Sequence, residues 1–106
     1  MGKKDVRDNF RRSVFKRDRS RCQVCGKEGT EQTLDAHHIT DRSEMPNGGY
    51  VASNGITVCK EECHLTVEQF HISQGDWWEE GLHPDDLYKK INSSYEQAYR
   101  DSESLS

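Results

Sequence analysis

Four cysteines fall in two close pairs, Cys22-x-x-Cys25 and Cys59-x-x-x-Cys63. This spacing constrains the fold more than any other feature of the chain. Two such pairs, one hairpin apart, place four thiolates around one tetrahedral zinc ion at about 2.3 Å. The competing reading is free or disulfide-bonded cysteine. The N-terminus is charged and lacks the apolar stretch of a secretory signal. The chain is therefore expected in a reducing cytosol, where paired cysteines hold zinc more often than they form disulfides. Composition makes the same demand. Leu, Ile, Val and Phe supply 18 of 106 residues, 32% of the chain is charged, and the mean hydropathy is -1.06. Such a chain cannot build a large apolar core. A structural zinc offsets that deficit, because metal binding contributes on the order of 10 kcal/mol to folding. The length leaves room for one domain, 1–106, and no apolar run of about 18 residues predicts a membrane span.

The 33 residues between the pairs must fold as an excursion from the metal. A second pair that opens a helix is the layout of a treble-clef site. Residues 5–18 read as a helix within a basic N-terminal segment, 1–21, with Val6, Phe10, Val14 and Phe15 as its apolar stripe. LDAHHI (34–39) and GITV (55–58) read as short strands. Residues 40–55 carry Pro46, Gly48, Gly49 and Asn54 and read as loop. Residues 63–72 look helical and close the core segment 22–72. Trp77 and Trp78 lie in a linker before Gly81. A last helix, 84–101, starts at Pro84 with Asp85 and Asp86 at its positive end, and the tail DSESLS is expected to fray.

Asp35, His37, His38 and Asn54 lie inside the excursion, and His64 directly follows the fourth cysteine. Each alone is a weak signal. Adjacent histidines on a strand point to opposite faces, so one can bind a metal while the other reaches a water. His64 opens a helix and can close on the same metal. Glu68 and His71 follow on the same helical face, Glu68 being the better third ligand.

CQVC, then DAHHI, then NGITVC with CH, in that order, resembles the HNH endonuclease family over roughly residues 10–70. The resemblance implies an α+β fold, a small zinc-stabilised treble-clef ββα-metal unit (His-Me finger) with flanking N- and C-terminal helices. It implies metal-dependent hydrolysis of DNA phosphodiester bonds. His38 takes the role of general base, and Asn54 holds the loop and orients it. His37 and His64 become ligands of a catalytic divalent metal, with Glu68 in a further slot. Cys22, Cys25, Cys59 and Cys63 hold the structural zinc. Asp35 is either a partner that orients a histidine or a solvated strand-end carboxylate. Imidazole and oxygen ligands suit magnesium, manganese, nickel or zinc alike. The family's second knuckle is usually Cys-x-x-Cys-His, and here it is one residue longer. The extra residue either bulges ahead of the helix or rotates His64.

Charge is distributed unevenly. Residues 1–21 carry nine basic and three acidic side chains, against six and sixteen in residues 22–106, for a net charge of -4. Arg11, Arg12, Lys16, Arg17, Arg19 and Arg21 are candidate phosphate contacts, giving salt-dependent binding with little sequence preference. The alternative is a solvated helix face. DNA is the expected partner, and sequence specificity, if any, is expected from a protein partner such as phage packaging machinery. The resemblance places such proteins in bacterial cells or phage-infected hosts. Two rival readings share the fold: a zinc-stabilised module that binds nucleic acid or protein without cutting, and a small metal-dependent RNase.

Overall fold

The chain runs α1 (Lys3–Arg17), β1 (Leu34–His38), β2 (Gly55–Cys59), α2 (Cys63–Ile72), α3 (Pro84–Lys90) and α4 (Tyr95–Glu103) in a computed structural model that describes residues 2–105. β1 and β2 pair antiparallel, with Leu34 opposite Cys59 and His38 opposite Gly55. The loop between them is wound into short 3-10 turns at Arg42–Glu44, Pro46–Gly49 and Ala52–Asn54. This is an α+β fold in which the hairpin and α2 form the ββα unit, with α1 before it and α3 and α4 after it. No described helix is long and apolar enough to cross a membrane.

The core is small, as the composition requires. Leu34, Ile39, Ile56, Val58, Val67, Leu87 and Ala98 are buried together with Cys22, Cys59 and Cys63. From α1, Phe10 and Val14 are buried and Phe15 packs against the core. Gly55 allows α1 to lie close on β2. A Cβ there would fall 2.5 Å from Val14 and 2.7 Å from Phe10, too close for any side chain.

Charge fastens the end of α1 to the sheet. The buried carboxylate of Asp18 accepts the Thr57 backbone N–H of β2 at 2.9 Å. It also takes two parallel bonds from Arg17, each 2.8 Å. The same guanidinium donates to the carbonyls of Ala52 and Gly55, both at 2.6 Å. Bidentate, charge-assisted bonds of this kind are the strong ones.

Two expectations are corrected. The helix predicted over 84–101 is two helices. Asn92 has a φ of +55°, and the Ser94 side chain accepts the Gln97 N–H, so α4 starts afresh with its own cap. The DSESLS tail is not frayed over its described part. Ser102 is buried, and Asn47 Nδ2 donates to the carbonyls of Ser102 and Leu105 at 2.9 and 2.8 Å. Ser106 and Met1 lie outside the described residues.

Asp18→Ala leaves the Thr57 N–H and the Arg17 guanidinium without their acceptor. A loss of about 3 kcal/mol of unfolding free energy is expected in urea titrations. Lys89→Ala on the exposed face of α3 is expected to change stability by no more than about 0.5 kcal/mol.

Candidate functional site

The two knuckles meet as the spacing predicts. One sulfur from each of Cys22, Cys25, Cys59 and Cys63 lies within 4.8 Å of the others, and Cys25 Sγ is 3.9 Å from Cys59 Sγ. Tetrahedral zinc with bonds of about 2.3 Å needs sulfurs roughly 3.8 Å apart, so the cluster is compatible with a zinc site. Each knuckle folds its second backbone N–H back on its first sulfur: Cys25 N on Cys22 Sγ and Cys63 N on Cys59 Sγ, both at 3.4 Å. At Cys22 burial opposes ionisation, yet the backbone N–H groups around it bring the thiol down to about 7. The longer second knuckle absorbs its extra residue in the turn Lys60–Glu62, ahead of α2. His64 still faces His37, with ring centroids 5.7 Å apart.

The alternation along β1 sorts the site. Asp35 and His37 face α2, while His38 faces α1. On the α2 side, His37, His64 and Glu68 each bring one ligand atom within 4.8 Å of the others. Glu68 Oε1 lies 3.0 Å from His37 Nδ1 and 3.3 Å from His64 Nε2. His64 Nδ1 donates to Asp35 Oδ2 at 2.7 Å. A carboxylate only accepts, so a proton sits on Nδ1, and in the neutral imidazole the Nε2 lone pair is aimed inward at Glu68. The carboxylate and this lone pair then confront each other. His37 is 1% exposed, and neither of its ring nitrogens has an aligned hydrogen bond. Its contact with Glu68 is short but off the ring's N–H axis. Convergent acceptors around a buried, unsatisfied imidazole fit a cation. Among the titrating groups, burial holds His37 down. His37 and His64 hold Glu68 far below the usual carboxylate range. Glu68 raises His64 against its burial, with help from Asp35. His71 is engaged elsewhere, donating Nε2–H to the His38 carbonyl at 3.1 Å.

On the α1 side, the His38 ring stacks on Phe10 at 4.5 Å and meets the Tyr50 ring edge-on at 4.8 Å. Its Nε2 has no hydrogen-bond partner. Burial, then the neighbouring His37 and Arg42, pushes it down to about 4, so it is neutral at pH 7. Asn54 is fully buried and uses its whole amide on the loop. Oδ1 accepts from Thr40 N at 2.9 Å and from the Tyr88 hydroxyl at 2.7 Å. Nδ2 donates to the carbonyls of Thr40 and Gly49 at 3.1 and 3.2 Å. It thus fixes the chain two residues beyond His38. The hydroxyl of Tyr88, on α3, reaches Asn54 from outside the ββα unit. No spacing in the sequence signals that contact.

The six candidate cations are not equivalent. Arg17 is engaged in the α1–β2 clamp. Arg21 pairs with Glu28 and with the Gly26 carbonyl. Arg12 donates to Asn9. Arg11 reaches the Glu31 carbonyl and lies over the Phe15 ring, yet also lines a cleft that ends at His38. Lys16 and Arg19 are exposed. That cleft also contains Arg7 of α1 with Arg42 and Tyr50 of the loop between the strands, which belong to no motif.

Plasma emission spectrometry on the purified chain is expected to find one zinc per molecule held by the four cysteines. Cys25→Ala is expected to lose both that zinc and a cooperative thermal transition. A zinc-free variant that melts like the wild type would refute the dependence of the fold on this cluster.

The family model for HNH endonucleases matches residues 22–70. No curated protein and no solved structure matches the chain. The matched segment runs from the first knuckle through His37, His38 and Asn54 to His64 and Glu68, and over residues 22–70 this chain is similar to the HNH endonuclease family.

Proposed function

We propose that the protein is a metal-dependent endonuclease that hydrolyses phosphodiester bonds of DNA, with little sequence preference of its own. The observation that supports this most directly is the division of labour along β1: candidate cation ligands on one face and, at the next residue, a neutral imidazole whose buried Nε2 has no hydrogen-bond partner. His37, His64 and Glu68 would hold a divalent cation, whose chemistry when bound is to neutralise charge on the phosphate and on the leaving oxygen. His38, neutral at pH 7, accepts the proton of the attacking water through an imidazole nitrogen. Phe10 and Tyr50 hold that ring between them. Asn54 fixes the backbone that follows it. Asp35 keeps the His64 proton on Nδ1 and so leaves Nε2 for the cation. Exposed cations of α1, Arg11, Arg12 and Lys16, together with Arg19, supply sequence-independent attraction to the phosphate backbone.

A module that binds without cutting has no use for an unpartnered His38 beside a triad of metal ligands. An RNase shares the chemistry, and matched RNA and duplex DNA substrates separate it from the DNA reading.

Supercoiled plasmid is expected to be converted to nicked or linear form when magnesium, manganese, nickel or zinc is supplied, and to survive when it is omitted. His38→Ala is expected to lower that rate by about 10²- to 10⁴-fold with the fold and DNA binding retained. Full activity in this variant would remove His38 from the role.

Asp35→Ala tests the ligand set without relying on cleavage. It is expected to weaken divalent binding at the His37–His64–Glu68 site by about 10- to 100-fold. Isothermal titration of zinc-loaded protein reads this directly. Unchanged affinity would show that Asp35 does not orient His64.

A further inference from the structure

On the α1 side of β1, a cleft of about 340 Å³ is lined by Arg7, Phe10, Arg11, His38, Arg42 and Tyr50, with Asp35 and Ala36 at its edge. A larger cleft of about 590 Å³ continues from it past Arg7, Arg42 and Tyr50 towards Lys3 and Asn47. Arg42 Nη1 donates to the Tyr50 hydroxyl at 2.9 Å. Among the described residues, neither Arg7 nor Arg42 has a carboxylate within ion-pair distance. The acids at the rims have their own partners. Asp41 accepts from the N–H and hydroxyl of Ser43, and Asp35 accepts from His64. Burial pushes the Tyr50 phenol up, but the guanidiniums of Arg42 and Arg7 outweigh it and bring the phenol down. Two guanidiniums thus line one cleft with the Tyr50 hydroxyl and the ring of His38, neither in ion-pair contact with a carboxylate, although the charge of nearby Asp41 acts on Arg42. Two planar forks with unused donors are suited to phosphate oxygens.

We propose that Arg7, Arg42 and Tyr50 form a phosphate-binding pocket that anchors the nucleic-acid backbone on the His38 side of β1, across the strand from the cation ligands. The inference rests on the nuclease reading for the identity of the ligand, a phosphodiester strand. It differs from the sequence reading in where the strand is gripped. Arg7 and Arg42 are 35 residues apart in sequence, and both line the cleft with Tyr50. The strand enters along the continuous cleft and reaches His38 held by two phosphate contacts.

The test is fluorescence anisotropy with a short labelled DNA duplex. Protein carrying one equivalent of zinc, at the four cysteines, is used with no further metal added, so that binding is read apart from cleavage. Arg7→Ala and Arg42→Ala are each expected to weaken binding about tenfold, the size of a lost charge-assisted hydrogen bond. Each is expected to lower the slope of log affinity against log salt by about one. Tyr50→Phe keeps the ring against His38 and Phe10 and is expected to weaken binding about threefold. Lys90→Ala, on exposed α3, is the control for general loss of positive charge and is expected to leave affinity unchanged. If Arg42→Ala loses its thermal transition, Arg42→Gln carries the same expectation.

Arginine variants that bind like the wild type, or lose no more than Lys90→Ala, overturn the pocket, as does a wild type that binds no duplex. The plasmid assay reports on the nuclease reading separately. Protein that binds through Arg7 and Arg42 but never cleaves overturns the nuclease and keeps the pocket. Cleavage that is indifferent to both arginines does the reverse.

Discussion

The register of β1 against β2 controls what this molecule does. A slip of one residue would exchange the faces of His37 and His38, sending the proposed cation ligand to α1 and the proposed base to α2. In so short a hairpin, backbone pairing alone does not hold a register firmly. Contacts from outside the sheet hold it instead. The Asp18 carboxylate takes the Thr57 N–H, and the Gln23 N–H donates to the Thr57 carbonyl. Cys59 at the end of β2 faces the first knuckle through Cys25. Helix, knuckle and strand therefore fix one residue of β2, and its pairing places the histidines. A chain with few aliphatic residues achieves with charge and sulfur what a larger core achieves with volume.

The loop between the strands follows the same logic at smaller scale. It places only Ile39 and Met45 in the apolar core, yet it carries Arg42 and Tyr50 into the cleft. Asn54 adds to that core four buried hydrogen bonds. Such a network is stabilising only when every partner is present, which accounts for the arrival of Tyr88 from α3. Burial takes the Tyr88 phenol up to about 12, so it stays a neutral donor. The helices after residue 72 thus contribute to the site through one hydroxyl, although they lie beyond the segment that matches the family.

Much of this was legible in the sequence, and for identifiable reasons. Cysteine spacing reports directly on a shared metal, and DAHHI reports on strand alternation. Both are local patterns, and the structure brings together the residues they named. The helix of 63–72 was legible because Cys63 opens it. The break at residues 91–94 was hidden by the helical spacing of Leu87, Ile91, Tyr95 and Ala98, which continues across it, whereas Asn92 and the Ser94 cap stop the helix by backbone preference. The role of Arg17 was hidden too. Positive charge in sequence does not distinguish a guanidinium facing solvent from one clamped to Asp18 and two carbonyls. Arg7, Arg42 and Tyr50 left no pattern at all, since only the folded loop brings them together.

Among the described residues, β1 has a single partner strand. Its outer edge is left free of sheet, and a free edge is a template on which another chain can add a strand. Here the His71 ring already occupies the His38 carbonyl. An edge that admits the proposed polyanion and refuses an extended peptide would not polymerise through its own working surface. In this view the last histidine of α2 serves solubility: it lets an edge strand carry chemistry without becoming a seed for self-association.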